Sequence, residues 1–373
     1  MDEEGFVKAF AEKVLDDTRL RHLREDVSRM CKSDRVSTFP GSQPVSMDRE
    51  NMKYLSQIDY CVCEKTDGVR HLLLIWKNRL YLIDRRFDFY AVKNCDLTKL
   101  AEVISGSMKK DVIDESKATV LDGELLIETK EEKPHVCFWV FDILCLNNRS
   151  TMQLSLLNRL HLIRTWVVSA FHPCDSLPFE MRLKPMYDIH QTVFVWREVV
   201  GKLHHNCDGL VFTPVRDPYT SGTCLKLLKW KPLEYNSADF KIELIFINDV
   251  RRYRLQVLKN GIDCNYDWIS FESSDEETQF GLSGSVSECI FDFNRWTYIP
   301  YWNGRDWEPS PNYRDSEKGP GWRKGGWKPI RLRGDKTNGN ALRTVEGVVK
   351  SIVDNIHIDD IDALIKKHRS CLC

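Results

Sequence analysis

Apolar positions along the first part of the chain change rhythm several times. Over residues 4–33 Phe6, Val7, Phe10, Val14, Leu15, Leu20, Leu23 and Val27 recur at three-to-four spacing, which predicts an N-terminal helix. Residues 34–59 are loop-rich. Strand-like segments follow at 60–63, 70–76, 79–84, 120–128 and 136–144, with Asn78 at a hairpin turn between two of them. Segments 154–170 and 193–204 read as amphipathic helices, and 210–213 and 225–230 return to strand character. This block is α+β and ends near Pro232.

From residue 239 the texture changes. Short strands recur at 240–248, 254–259, 268–270 and 286–293, separated by polar turns, as in a small barrel or sandwich. The acidic stretch 272–278 reads as a solvated connection. Val345, Val348, Val349, Ile352, Val353 and Ile356 are helical again, and Ile361, Leu364 and Ile365 extend the pattern. The expected division is 1–237, 238–340 with an insertion at 301–328, and a C-terminal helical segment at 341–373.

The bulk properties narrow the function classes. A chain of 373 residues with 42% hydrophobic and 29% charged residues suits a soluble protein of about two domains. Its formal net charge of -1 excludes a generally basic polyanion binder, so any nucleic-acid contact must be local. No stretch is apolar and long enough for a membrane span, and the acidic start Met1-Asp2-Glu3-Glu4 lacks a signal-peptide core. The 13 scattered cysteines point to reduced thiols in the cytosol or nucleus. Cys61-x-Cys63 lacks a second pair at zinc spacing and suits one face of a strand.

The chemistry concentrates at Glu64-Lys65-Thr66-Asp67-Gly68-Val69-Arg70, just before the apolar run Leu72-Leu73-Leu74-Ile75-Trp76. A lysine held on a loop by a rigid strand is well placed for function. It becomes a nucleophile when its surroundings favour the neutral amine. Further motifs follow in order: Asp84-Arg85, Leu121-Asp122-Gly123-Glu124-Leu125, Phe141-Asp142, Asp208-Gly209, Lys229-Trp230-Lys231-Pro232 and Arg331-Leu332-Arg333-Gly334-Asp335-Lys336. Taken singly, each has a plain structural reading. Asp-Gly marks turns, Phe141 suits a core, and Asp335 with Lys336 suits an exposed ion pair.

Taken in order, the set resembles the eukaryotic mRNA guanylyltransferases of the covalent nucleotidyltransferase superfamily, over roughly residues 36–345. Lys-x-Asp-Gly-x-Arg at 65–70 resembles the nucleotidyl-lysine motif. The stretch 39–47, Leu183-Lys184-Pro185-Met186 and Lys229-Trp230-Lys231-Pro232 resemble cellular capping enzymes in particular. The resemblance implies an ATP-grasp-like, antiparallel-sheet nucleotidyltransferase domain followed by an OB-fold β-barrel and a C-terminal helix. It implies attack by Lys65 on the α-phosphate of GTP, release of pyrophosphate, and transfer of GMP to a 5′-diphosphate RNA end, with magnesium or manganese as cofactor.

The same resemblance suggests roles. Lys229 and Lys231 would meet the α-phosphate. Glu124 would serve ribose or metal, and Asp208 the metal and the RNA-directed step. Arg70 and Arg85 would contact ribose and phosphate, Phe141 would stack on guanine, and Lys184 would contact it. Glu64 is counted with the nucleotide-binding set, and its side chain is expected to point outward. Arg333, Asp335 and Lys336 would act from an OB-fold that closes over GTP. The implied partners are GTP, 5′-diphosphate RNA, a separate RNA triphosphatase and the phosphorylated tail of RNA polymerase II, with nuclear localisation and no membrane.

The rival readings are an ATP-dependent polynucleotide ligase of the same superfamily and a catalytically dead scaffold. The insertion 301–328, with Trp302, Trp307, Trp322 and Trp327 among basic residues, suits RNA stacking, a partner surface or a self-packed loop. The ending Cys371-Leu372-Cys373 is not a C-a-a-X box, though it is similar to the ends of some prenylated GTPases.

Overall fold

The computed structural model describes residues 7–33, 38–77, 79–95, 117–130, 133–168 and 177–370. The chain forms two compact units, Met1–Trp230 with His357–Cys373, and Lys231–Ile356. The architecture is α+β and mostly strand.

The strands of the first unit are, in chain order, β1 Ala11–Lys13, β2 Ser42–Ser46, β3 Tyr60–Thr66, β4 Val69–Trp76, β5 Arg79–Ile83, β6 Phe89–Val92, β7 Thr119–Lys130, β8 Lys133–Leu146, β9 Arg149–Ser150, β10 Glu180–Leu183, β11 Tyr187–Asp188, β12 Cys207–Pro214 and β13 Gly222–Trp230. They make an eight-stranded sheet, β1-β6-β5-β4-β7-β8-β10 with β9 beside β8, and a five-stranded sheet, β11-β3-β12-β13-β2. Neighbours are antiparallel except β10 on β8 and β2 on β13.

Burial on both faces of the larger sheet explains the unbroken apolar run in β4. Leu73 and Ile75 join Leu82, Leu121 and Phe138 in one core, while Leu72 and Leu74 join Ile83, Phe89 and Val120 in another. β4 and β5 pair as the expected hairpin, Trp76 opposite Arg79. Asn78, the first residues 1–6 and the terminal Cys-Leu-Cys lie outside the described residues.

The helix expected over 4–33 is instead two elements, β1 and helix α1 Asp17–Met30. The Asp16 carboxylate accepts from Arg19 N at 2.6 Å and starts the helix there. Ala11–Lys13 pairs with β6, and Leu15, part of the apparent rhythm, is exposed. The two later helices are also less regular than their periodicity suggests. Helix α2, Leu156–Leu162, continues as a wider-turn segment Ile163–Val168. Helix α3, Thr192–Phe194, does the same through Val195–Val199.

The second unit contains β14 Ser237–Ile247, β15 Val250–Lys259, β16 Ile262–Ile269, helix α4 Ser274–Phe280, β17 Val286–Tyr298, β18 Pro300–Trp302, β19 Trp307–Pro309, β20 Arg314–Asp315, β21 Gly319–Pro320, β22 Trp322–Leu332 and helix α5 Leu342–Asp354. Its antiparallel sheet has the order β16-β15-β14-β17-β22. Phe240, Leu255, Val257 and Trp327 form its core with Val345 and Ile352 of α5.

The acidic stretch read as a solvated connection is α4. Ser273 caps it, and Glu276 holds the buried Arg295 guanidinium at 2.5 Å. The carboxylates are there to neutralise a buried cation. Helix α6, Ile358–Ser370, belongs with the first unit. It buries Ile361 and Ile365, and Arg49 and Arg197 pair with Asp360 and Asp359 at 3.2 and 2.7 Å.

Much of segment 301–328 packs on itself and on the sheet. Trp327 lies in the core, 4.7 Å from Phe240 between ring centres. Trp307 sits 5.6 Å from Trp302 and 6.1 Å from Trp268. Arg323 pairs with Asp267 at 2.9 Å. These contacts favour the self-packed reading of the insertion.

Candidate active site

Lys65 sits one residue from the end of β3, opposite a break in the β12 ladder. Thr66 pairs with Cys207 and Glu64 with Leu210, so Lys65 alone faces both Asp208 and Gly209. Such a bulge re-aims the side chains of the strand that carries the extra residue. Here Asp208 Oδ1 comes to 2.6 Å from Lys65 Nζ. Both side chains are largely covered, at 24% and 17% exposure, so their charges interact with little solvent screening.

Lys65, Arg70, Arg85, Glu124, Phe141 and Lys184 line one cavity in the first unit. Its walls come from β3, β12 and β13 on one side and β4, β7 and β8 on the other. Lys184 is buried and donates to Thr66 Oγ1, with Glu64 Oε1 at 3.7 Å and Glu124 Oε2 at 4.0 Å. Burial works to lower the Lys184 pKa, but the carboxylates, Glu64 foremost, win and raise it. Burial raises the pKa of Glu124, against the pull of Lys184, Lys65 and the nearby arginines.

The expectation that Glu64 points outward is corrected. Glu64 is 1% exposed and faces the interior. Strand alternation sends it to the side opposite Lys65, where Lys184 supplies the compensating charge. Its Oε2 atom has no hydrogen-bond partner.

Under the cavity lie two Arg–Asp pairs. Arg70 grips Asp122 through Nε at 2.9 Å and Nη2 at 2.6 Å, and donates Nη1 to Ser42 O at 2.5 Å. Tyr219 donates its hydroxyl to Asp122 Oδ2 at 2.5 Å. Asp142, directly opposite Asp122 in the β7–β8 ladder, takes Nε and Nη2 of Arg159 at 2.6 and 3.0 Å. Burial raises the Asp142 pKa, and Arg159 opposes that rise. Arg70 also lies 5.4 Å from the Phe141 ring centre and 5.7 Å from that of Phe39. Two bidentate pairs side by side fix the cavity floor in geometry as well as charge.

The remaining expected residues lie at the rim of the cavity or outside its lining. Arg85 stands exposed on the turn after β5, at the cavity rim. Lys229 is registered with Val211, and Val211 with Cys63, so it shares a row with two cavity-lining residues. Lys231 donates to Tyr235 O at 3.4 Å. In the second unit Arg333 and Lys336 converge on Asp239. Arg333 Nη1 and Lys336 Nζ reach its carboxylate at 3.2 and 2.5 Å. Arg333 also grips Asp335 at 2.9 and 2.7 Å, and this hydrogen bonding holds the Asp335 pKa down to about 2.

The family model for the mRNA capping enzyme catalytic domain matches residues 7–233, and that for the mRNA capping enzyme C-terminal domain matches 235–361. The chain belongs to the mRNA capping enzyme family. Among capping-enzyme relatives, the mRNA-capping enzyme subunit alpha of Candida glabrata is 31% identical, covering 93% of this chain and 85% of that protein. The Saccharomyces cerevisiae subunit alpha is also 31% identical, covering 90% and 80%. A mycobacterial DNA ligase D structure complexed with ATP and MES aligns over 80% of this chain and 95% of its own, at 14% identity and a TM-score of 0.39.

Within this capping-enzyme chain, Arg159, Tyr219 and Asp239 carry no signal in the sequence motifs. Ser42, Asp122 and Asp142 lie inside those motifs without a role. An acid beside an apolar strand signals a buried counterion somewhere, but no local pattern says that it is Arg159 on α2 or Tyr219 before β13. No group of three or more His, Cys, Asp or Glu side chains is arranged for a metal among the described residues. Glu124 and Asp208 beside Lys65 fit a magnesium-like ion, which takes one or two carboxylates and completes its shell with substrate phosphates and water. The described cysteines are free thiols, and burial pushes that of Cys63, beside Lys65, up to about 12. No helix among the described residues is long and apolar enough to cross a membrane.

Proposed function

We propose that this chain, a nucleotidyltransferase and mRNA guanylyltransferase by family, works through a covalent lysyl-GMP on Lys65. The observation that carries this reading is the 2.6 Å contact between Asp208 and the Nζ of Lys65, a residue that lines the cavity together with Arg70, Arg85, Glu124 and Lys184. The amine attacks the α-phosphate of GTP, the N–P bond forms, and the bond to pyrophosphate breaks. Asp208 takes up the ammonium proton that must leave before attack. A terminal oxygen of the RNA 5′-diphosphate then displaces the lysine, giving the GpppN cap.

Spread negative charge needs neutralising in both steps. Arg70, Arg85 and Lys229 serve that need from the first unit, together with Lys231 of the second. Arg333 and Lys336, held on Asp239, act on the leaving pyrophosphate. Phe141 offers the base a flat apolar face, and Lys184 donates to it. Glu124 and Asp208 would hold a divalent cation, magnesium or manganese, which neutralises phosphate charge when bound. The RNA must arrive as a 5′-diphosphate, so a separate triphosphatase reaction precedes this one. In this reading the enzyme works in the nucleus beside the phosphorylated polymerase tail.

Incubation with α-labelled GTP or ATP and magnesium, then a denaturing gel, tests the reading. Acid-labile label from GTP, lost in Lys65→Ala and absent after chelation, is the expected result. Label from ATP alone would make the protein a ligase, and no label from either would leave a scaffold.

A further inference from the structure

Lys184 stands where the two sheets of the first unit meet. Leu183 before it ends β10, which pairs with β8, and Tyr187 three residues later opens β11, which pairs with β3. The Lys184 backbone N–H donates to Val140 O at 2.8 Å, one residue before Phe141. Lys184 and Phe141 both line the cavity, so the ammonium and the flat ring are tied to one stretch of β8.

Behind the ammonium stands Glu64, which does not line the cavity itself. Its Oε1 lies 3.7 Å from Lys184 Nζ, and no other cation is within ion-pairing distance of it among the described residues. Its Oε2 has no hydrogen-bond partner. Glu64 and Lys184 are almost wholly buried, at 1% and 4% exposure. Such a pair adds little net stability, because desolvating two charges offsets their attraction. Its worth lies in what the ammonium is left to do. One of the three N–H groups of Lys184 is given to Thr66 Oγ1. Glu64 at 3.7 Å and Glu124 at 4.0 Å attract the charge from beyond hydrogen-bond distance. Two donors remain for a ligand in the cavity.

We infer that Glu64 is a positioning residue for base selection, holding the Lys184 ammonium from behind with two N–H groups left for the 6-oxygen of guanine. The inference rests on the proposed GTP chemistry of this cavity, with Lys184 donating to the base. Guanine presents an acceptor at its 6-position, where adenine carries an amino donor. An ammonium, which only donates, suits the first and repels the second. Glu64 touches no substrate and acts through Lys184.

The test is single-turnover enzyme labelling with α-labelled GTP and with the α-labelled triphosphate of 2,6-diaminopurine riboside. The second nucleotide keeps the 2-amino group and replaces the 6-oxygen by an amino group. Wild type is compared with Glu64→Gln, Glu64→Asp, Lys184→Gln and the double variant Glu64→Gln/Lys184→Gln, each checked for thermal unfolding. Wild type should prefer GTP. Glu64→Gln should raise the half-saturating GTP concentration about tenfold, the size of one hydrogen bond to a charged group, and shrink the preference by the same factor. The rate at saturation should be kept, a split that a merely structural role would not give. Glu64→Asp keeps the charge but withdraws it by one methylene, and should lose a smaller part of the preference. In the Lys184→Gln background, adding Glu64→Gln should change the preference no further. A preference equal to wild type in either single Glu64 variant overturns the inference, so Glu64→Asp decides if Glu64→Gln does not fold. Further loss in the Lys184→Gln background overturns it too, because Glu64 would then act by another route. Failure of the GTP reading shows separately, as no label from GTP, or no preference for it, in the wild type.

Discussion

Lys65 Nζ and Asp208 Oδ1 meet at 2.6 Å because β12 carries one residue too many opposite the lysine. The bulge turns an ordinary ladder position into an ion pair. Asp208→Asn keeps the shape and removes the charge. Overall GMP transfer to RNA should fall roughly 10²-fold or more, the usual scale of a lost acid–base group. Quenched-flow measurement of labelling and transfer in separate steps checks this, and activity within a factor of two of wild type would exclude the role.

Gly68 and Glu124 are packed too closely for any larger residue. A Cβ at Gly68 would meet Leu125 O at 2.8 Å and Glu124 Cγ at 2.9 Å. Gly68→Ala should therefore displace Glu124 and depress enzyme–GMP formation strongly, with overpacking costing about 1–3 kcal/mol of stability. Labelling rate and urea unfolding of the one variant report both effects.

The floor of the cavity predicts a stability effect. Arg159→Leu leaves the Asp142 carboxylate buried without its partner, which should destabilise by about 3–5 kcal/mol. Adding Asp142→Asn removes the orphaned charge and should recover part of that loss. Urea midpoints of the single and double variants decide it; equal midpoints would show that Asp142 has no stake in the pair.

His71 and His205 set an acid limit. Burial is the main cause that lowers the pKa of each below the ordinary histidine value of 6.5. A histidine held neutral in the fold contributes stability above its unfolded pKa and loses it as pH falls from there through the folded value. Stability should thus be flat above about pH 7 and decline below 6.5. His205→Leu should flatten part of that decline, as read from urea titrations at several pH values.

In the second unit, Asp239 gathers Arg333 and Lys336. Asp239→Ala should remove this anchor from both cations and leave Arg333 held by Asp335 alone. Enzyme–GMP formation should fall at least about tenfold, as for the loss of one or more charge-assisted contacts. Transfer of GMP from preformed enzyme–GMP to RNA should change little. Equal losses in the two steps would contradict a role confined to the pyrophosphate side.

The sequence by itself determined the family and the order of the chemistry-bearing groups, because each motif couples a short turn or strand end to residue types that phosphate chemistry requires. It also determined β4, whose apolar run cannot be left in water, and helix α5, whose period is clear. Local pattern misread the first thirty residues, because an N-cap at Asp16 and pairing of Ala11–Lys13 with β6 depend on neighbours far along the chain. It misread Glu64 for the same reason. Alternation says that Glu64 and Lys65 face opposite ways, but only Lys184, more than a hundred residues later, decides that the glutamate side is the buried one. The Asp122–Arg70 and Asp142–Arg159 pairs, with Tyr219 closing them, exist only once β4, β7, β8 and α2 are assembled. Buried charges must find partners wherever the fold brings them, and sequence separation carries no record of where that is.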